Sequence, residues 1–70
     1  MTVHWRHLLE TWAEGGYPAV CRLTSLPRGD ARRLVRDTLR LAGYHVRTDR
    51  EYEAAKESIR NQRREADELL

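Results

Sequence analysis

The stretch Thr24–Tyr44, TSLPRGDARRLVRDTLRLAGY, decides how this 70-residue chain is read. Its second half has a helical period. Ala31, Leu34, Val35, Thr38, Leu39 and Ala42 share one face, the stripe that a helix buries. Arg32, Arg33, Arg36 and Arg40 fall on the other side. The spacing predicts a helix over 30–42, with Gly29 or Asp30 as its N-cap and Gly43 as its terminator. Pro27 drives Leu26 out of helical conformation, so TSLPRG reads as a turn. The letters RGD at 28–30 are assigned to that turn and cap.

Working outward, Trp5, Leu8, Leu9 and Trp12 recur at i, i+3, i+4 and i+7. They predict a helix from Val3 to Glu14 with both tryptophans in the core. GGYP at 15–18 breaks it: Gly15 can take the left-handed conformation, and Pro18 suits the first turn of a short helix over 18–24. After Gly43, YHVRT is β-branched and aromatic enough for one short extended segment. Thr48 and Glu51 form a capping box, TDRE, for a helix from Asp49 to the C-terminus. Along it Tyr52, Ala55, Ile59, Gln62, Ala66 and Leu69 alternate spacings of three and four, a heptad seam expected to pair two copies of the chain. The expected fold is all-α. A helix-turn-helix-like domain of three helices occupies 1–47, and an amphipathic dimerisation helix occupies 48–70.

The size and composition narrow the function classes. A chain this short buries a small core and gains from a partner. One cysteine, Cys21, excludes an internal disulfide and fits a reducing compartment. No segment is apolar for long enough to cross a bilayer, and MTVHWRHLLE lacks the basic start and apolar run of a secretory signal. A cytoplasmic location is therefore expected. His4, His7, Cys21 and His45 offer no second close ligand pair, so neither metal nor other cofactor is expected. No nucleophile with a base, acid/base pair or phosphate loop stands out, so no enzyme is expected.

The net charge is +2, and its distribution is uneven. Residues 1–21 hold one arginine against two glutamates, a balance of −1. Residues 22–50 hold eight arginines against three aspartates, +5, and residues 51–70 hold four cations against six acids, −2. A polyanion would meet the middle segment. A short helix, a tight turn and a second helix with basic exposed positions make a helix-turn-helix pattern, in which the second helix enters the DNA major groove.

The segment AVCRLTSLPRGDARRLVRDTLRLAGYHV resembles the DNA-binding segment of IclR-type winged-helix regulators. That pattern has a small residue in the first helix, a Gly-Leu-Pro turn, a Lys/Arg and Ser/Thr start, an Arg-Leu-Leu body and a Gly-Tyr-Val end. Cys21 stands at the small position, and Ser25 replaces the turn glycine. Leu26 and Pro27 match the turn. Arg28, Gly29 and Asp30 stand at the start of the recognition helix; Arg33, Leu34 and Val35 match its body, and Gly43, Tyr44 and Val46 its end. LLETWAEGG resembles the helix ahead of this unit, so the likeness covers about residues 8–46. The 70 residues depart from the pattern in an expected recognition helix slightly longer than usual and an expected wing of one strand at most, and no effector-binding domain is expected within them. Wing contacts and a ligand response are not implied.

The resemblance implies duplex DNA as partner, with Arg28, Arg32, Arg33 and Arg36 toward the groove and Arg40 and Arg47 nearer phosphate. Arginine on guanine edges discriminates by roughly 1–3 kcal/mol per bidentate pair. The reading that follows is a homodimeric transcriptional regulator. An alternative of another class is a small phage- or mobile-element-type module that binds and inhibits a host protein through its basic and aromatic surface.

Overall fold

The computed structural model describes residues 4–68. They form α1 (Trp5–Thr24), α2 (Arg28–Leu41) and α3 (Asp49–Glu68), and no strand occurs among the described residues. The helix starting at Val3 begins at Trp5 instead, and Val3 itself lies outside the described residues. The imidazole of His4 caps α1: its Nδ1 accepts from the Arg6 N–H at 3.2 Å.

The two helices expected on either side of GGYP are one bent element. The bend is at Gly16, with φ 72° and ψ −167°, a region that essentially only glycine occupies. The positive φ thus falls one residue later than Gly15. Gly15 is needed for another reason, since a Cβ there would lie 2.5 Å from the Cβ of Ala19. Pro18 follows in the first turn after the bend, where its missing N–H leaves nothing unpaired. α1 closes at Ser25, which is left-handed at φ 60°, ψ 23°, and whose N–H donates to the Cys21 carbonyl at 2.8 Å.

Only Ser25, Leu26 and Pro27 separate α1 from α2. α2 starts at Arg28, earlier than the expected Asp30, because Pro27 itself serves as N-cap: its fixed φ of −60° sets the approach and its carbonyl accepts from Ala31 N–H at 2.9 Å. Gly29 and Asp30 therefore sit inside the first turn, and RGD is helical. The Asp30 carboxylate there faces the positive end of the helix dipole. The other end is a Schellman close, with Tyr44 N–H donating to the Leu39 carbonyl at 2.9 Å and Gly43 N–H to that of Arg40 at 3.1 Å. The buried stripe is narrower than the sequence face: Ala31, Val35, Thr38 and Leu39 are buried, Leu34 is partly buried and Ala42 is exposed. The Thr38 hydroxyl survives burial by donating to the Leu34 carbonyl at 2.6 Å.

YHVRT forms no strand, since a lone extended segment has no neighbour to complete a ladder. It serves as a strap. Val46 is buried in the core, and the Tyr44 hydroxyl meets the Ser58 hydroxyl on α3 at 3.3 Å. The capping box forms as read: Thr48 Oγ1 accepts from Glu51 N–H and Glu51 Oε1 accepts from Thr48 N–H, both at 3.2 Å.

α1 is the central element. α2 and α3 both pack on it, while their own backbones do not approach each other. Leu8, Leu9, Trp12, Ala13 and Val20 of α1 form one cluster with the buried face of α2, with Val46 and with Ala55 and Ile59 of α3. A core that draws on both sides of residue 47 joins 1–47 and 48–70 in one unit. Trp12 is fully buried at its centre, whereas Trp5 is 46% exposed and stacks on His4 with ring centroids 5.9 Å apart. Only the second tryptophan therefore has the core role expected of both. Where α3 crosses α1, Arg63 donates to Glu14 Oε1 at 2.7 Å, an exposed ion pair of small stabilising effect.

The bend and the turn make opposite predictions about glycine. Gly16→Ala should lower the unfolding free energy by about 1–3 kcal/mol, because alanine has no such basin. Ser25→Gly should raise it by up to about 1 kcal/mol, because glycine removes the left-handed strain. Urea denaturation followed by circular dichroism measures both.

Candidate nucleic-acid interface

α2 carries its charge on one side. Arg28, Arg32, Arg36 and Arg40 follow each other at intervals of four, forming one strip about 18 Å long at 1.5 Å per residue. Arg33 lies beside it. Asp30, Leu34, Asp37 and Leu41 form a different strip, so acids and arginines run side by side along the helix. Both flank the buried Ala31–Val35–Leu39 stripe. That stripe fixes the rotation of α2 against α1 and hence the direction in which the arginines face.

The strip faces the cleft that α2 and α3 leave between them. Arg32, Arg33 and Arg36 line it from α2, with Tyr52 and Lys56 opposite on α3 and with Trp12 and Tyr17 of α1 as its floor. Arg28 and Arg40 stand beyond the cleft, at the two ends of α2, and both are exposed. Arg47 is exposed on the strap before α3, separate from the strip. The six arginines read from the sequence therefore divide into three over the cleft, two at the helix ends and one apart.

Their partners differ. The Arg36 Nε lies 3.4 Å from Asp37 Oδ1, so the Asp37 carboxylate pairs with its neighbour and not with Arg33 or Arg40, the partners that helical spacing offers. The Arg32 guanidinium sits 5.5 Å from the centre of the Tyr17 ring, a cation–π contact. Among the described residues no acid lies within ion-pair distance of Arg28, Arg32, Arg33, Arg40 or Arg47. Their positive charge is left to solvent or to a ligand.

Two contributors were missed in the sequence. Tyr17 reads as part of the GGYP breaker, and Lys56 only as one of the four cations of residues 51–70. Nothing local links either to α2. They reach it only because the Gly16 bend turns Tyr17 under Arg32 and because α3 crosses α1 at Trp12. The Lys56 ammonium lies 5.3 Å from the centre of the Trp12 ring and 3.4 Å from Glu53 Oε1.

The seam residues also divide. Ala55 and Ile59 are buried against the chain's own core, and Tyr52 packs on that core, edge-on to Trp12 at 6.3 Å. Gln62 and Ala66 are exposed, and Leu69 lies outside the described residues. The first half of the heptad pattern is thus consumed within the domain, because a small core takes whatever apolar stripe its third helix presents.

His4, His7 and His45 are exposed and Cys21 is half-buried. Among the described residues no three histidine, cysteine, aspartate or glutamate side chains gather into a metal-sized group. No described helix is long and apolar enough to cross a membrane. No family model matches the chain, and no curated protein and no solved structure matches it.

The placement of the seam has a measurable consequence. Ile59→Ala should destabilise the fold itself by about 2–5 kcal/mol, with a loss that does not depend on protein concentration, whereas Gln62→Ala should change stability by under about 0.5 kcal/mol. Thermal melts at two concentrations tenfold apart would distinguish a core residue from a subunit contact.

Proposed function

We propose that the chain is a DNA-binding transcriptional regulator whose α2 docks in the major groove. The observation that carries the reading is the one-sided arginine strip on a helix held against α1 by a three-residue turn, with most of its charges free of acidic partners. Phosphate contacts at both ends of such a helix, from Arg28 and Arg40, would position it, and Arg32, Arg33 and Arg36 would approach base edges. The left-handed conformation at Ser25 adds support, since it occurs where the IclR-type pattern carries its turn glycine. The absent strand pair leaves the groove contact to α2 alone. Two copies joined through the part of α3 beyond Ile59 would set two such helices on half-sites about one helical turn apart.

Fluorescence anisotropy with labelled random-sequence duplex tests the reading. Binding should appear at low salt and weaken steeply as salt rises, with the log–log slope falling by about 0.9 for each phosphate contact removed. Replacing Arg32, Arg33 and Arg36 by alanine should abolish specific binding while the helical circular dichroism is unchanged. Wild-type protein that ignores duplex at low salt ends the reading.

A second reading has its own observation. Leu41 is 90% exposed and Trp5 46% exposed, large apolar surface that favours a protein partner. Under it the chain is a phage- or mobile-element-type module that blocks a host protein. A Trp5→Ala, Leu41→Ser variant should then lose a partner captured by the wild type and keep any affinity for duplex.

A further inference from the structure

The cleft between α2 and α3 has an aromatic floor that duplex recognition by α2 does not use. Its volume is about 450 Å³, within the range of small-ligand sites. Four cations line it, Arg32, Arg33, Arg36 and Lys56, against the two acids Asp49 and Glu53, one of which already pairs with Lys56. The floor is aromatic, made by Trp12 and Tyr17 with Tyr52 on one wall. Phosphate alone would need the cations and no aromatic floor. An apolar ligand would need the floor and no cations. The two together match a group that is planar at one end and anionic at the other.

The arrangement within the cleft is graded in the same way. The Arg32 guanidinium lies 5.5 Å from the centre of the Tyr17 ring, and Arg32 is exposed. A guanidinium backed by an aromatic ring is a platform on which a nucleobase stacks. Beyond it, Arg33 and Arg36 come from one helix and Lys56 from the other. Charges from two sides suit a tetrahedral anion, and arginine in particular offers it paired donors. The wholly buried Trp12 has an indole N–H without any hydrogen-bond partner, the single such buried side-chain atom among the described residues.

We propose that this cleft binds a nucleotide, its base stacked on the Arg32–Tyr17 pair and its phosphate held by Arg33, Arg36 and Lys56. The bases of an intact duplex are stacked and paired and cannot enter. The ligand is therefore a free nucleotide or an unpaired nucleotide of a nucleic-acid strand, two sources of one chemistry. The proposal goes beyond duplex recognition by α2 and does not rest on it.

The test uses the full chain carrying Trp5→Phe, which leaves Trp12 as the only tryptophan and so as a reporter inside the cleft. Titration with adenosine monophosphate should change Trp12 fluorescence saturably and bind about tenfold tighter than ribose phosphate, the factor that one base stack supplies. Adenosine without phosphate should bind weakly. Arg36→Gln and Lys56→Gln, each checked for unchanged helical circular dichroism, should each weaken adenosine monophosphate about tenfold, and Lys56→Arg should restore most of it. A single-stranded oligoadenylate that displaces the mononucleotide at far lower concentration identifies a strand as the source, and one that fails to displace it identifies the free nucleotide. Ribose phosphate binding as tightly as the nucleotide overturns the proposal, as does the absence of saturation or an unaltered affinity in both glutamine variants. Duplex affinity measured on Lys56→Gln keeps the two readings apart: it should persist if α2 reads duplex, and failure of wild-type duplex binding leaves the nucleotide titration to stand by itself.

Discussion

The buried indole of Trp12 is the surface on which α3 packs against the bent α1. It sits one turn before the bend in α1, fully buried, with Tyr17 from beyond the bend at 6.4 Å, Tyr52 of α3 edge-on at 6.3 Å and the Lys56 ammonium over its face. A domain of this size has few large side chains to bury, and burying one indole supplies several kcal/mol of the small margin by which such a fold is stable. The geometry of the arginine surface depends on this packing. Tyr17 reaches beneath Arg32 only if α1 bends where it does, and Lys56 faces α2 only if α3 crosses at the indole.

That dependence explains why a helix with five arginines has a direction. On an isolated α2 the cations would be a solvated flank, repelling each other and exchanging partners with Asp30 and Asp37. Packed by Ala31, Val35 and Leu39 onto α1, the same helix turns its arginines toward α3 and its acids away. Since α2 and α3 each pack on α1 and their backbones do not approach each other, the space between them stays open and is lined from both sides. A tighter bundle would have closed this cleft with apolar side chains. The cations along its walls favour an open cleft, at the expense of buried area that a small domain could otherwise use.

How much of this was legible in the sequence follows from how local each signal is. The Thr48–Glu51 capping box, the terminator at Gly43 and the turn at Leu26–Pro27 all formed, and GGYP bends the chain without ending the helix, since each depends on a few adjacent residues and on backbone sterics. The limits shifted by one or two residues: Gly16 in place of Gly15 at the bend, and Arg28 in place of Asp30 at the start of α2. The all-helical class was legible from periodicity for the same reason. Trp5 and the heptad seam were harder. A stripe at i, i+3, i+4 spacing says that a face is apolar, not what covers it, and here the core took Ala55 and Ile59 and left Trp5 outside.

By itself, then, the sequence determined that the chain is helical, where the turns around Pro27 and Gly43 and the last capping box fall, that Ala31, Val35, Thr38 and Leu39 of α2 face inward, and that positive charge gathers between residues 22 and 50. These are short-range facts, set by φ/ψ preferences, caps and a period of 3.6 residues. Only the tertiary structure decided that Arg32, Arg33 and Arg36 share a cleft with Lys56 and Tyr17, that Arg47 stands apart from them, and that the α3 stripe up to Ile59 belongs to the domain's own core. The physical reason is that these outcomes turn on the rotation and crossing of whole helices. Those are fixed by how an indole, a few aliphatic side chains and one glycine bend fit together, and no stretch of adjacent residues encodes them.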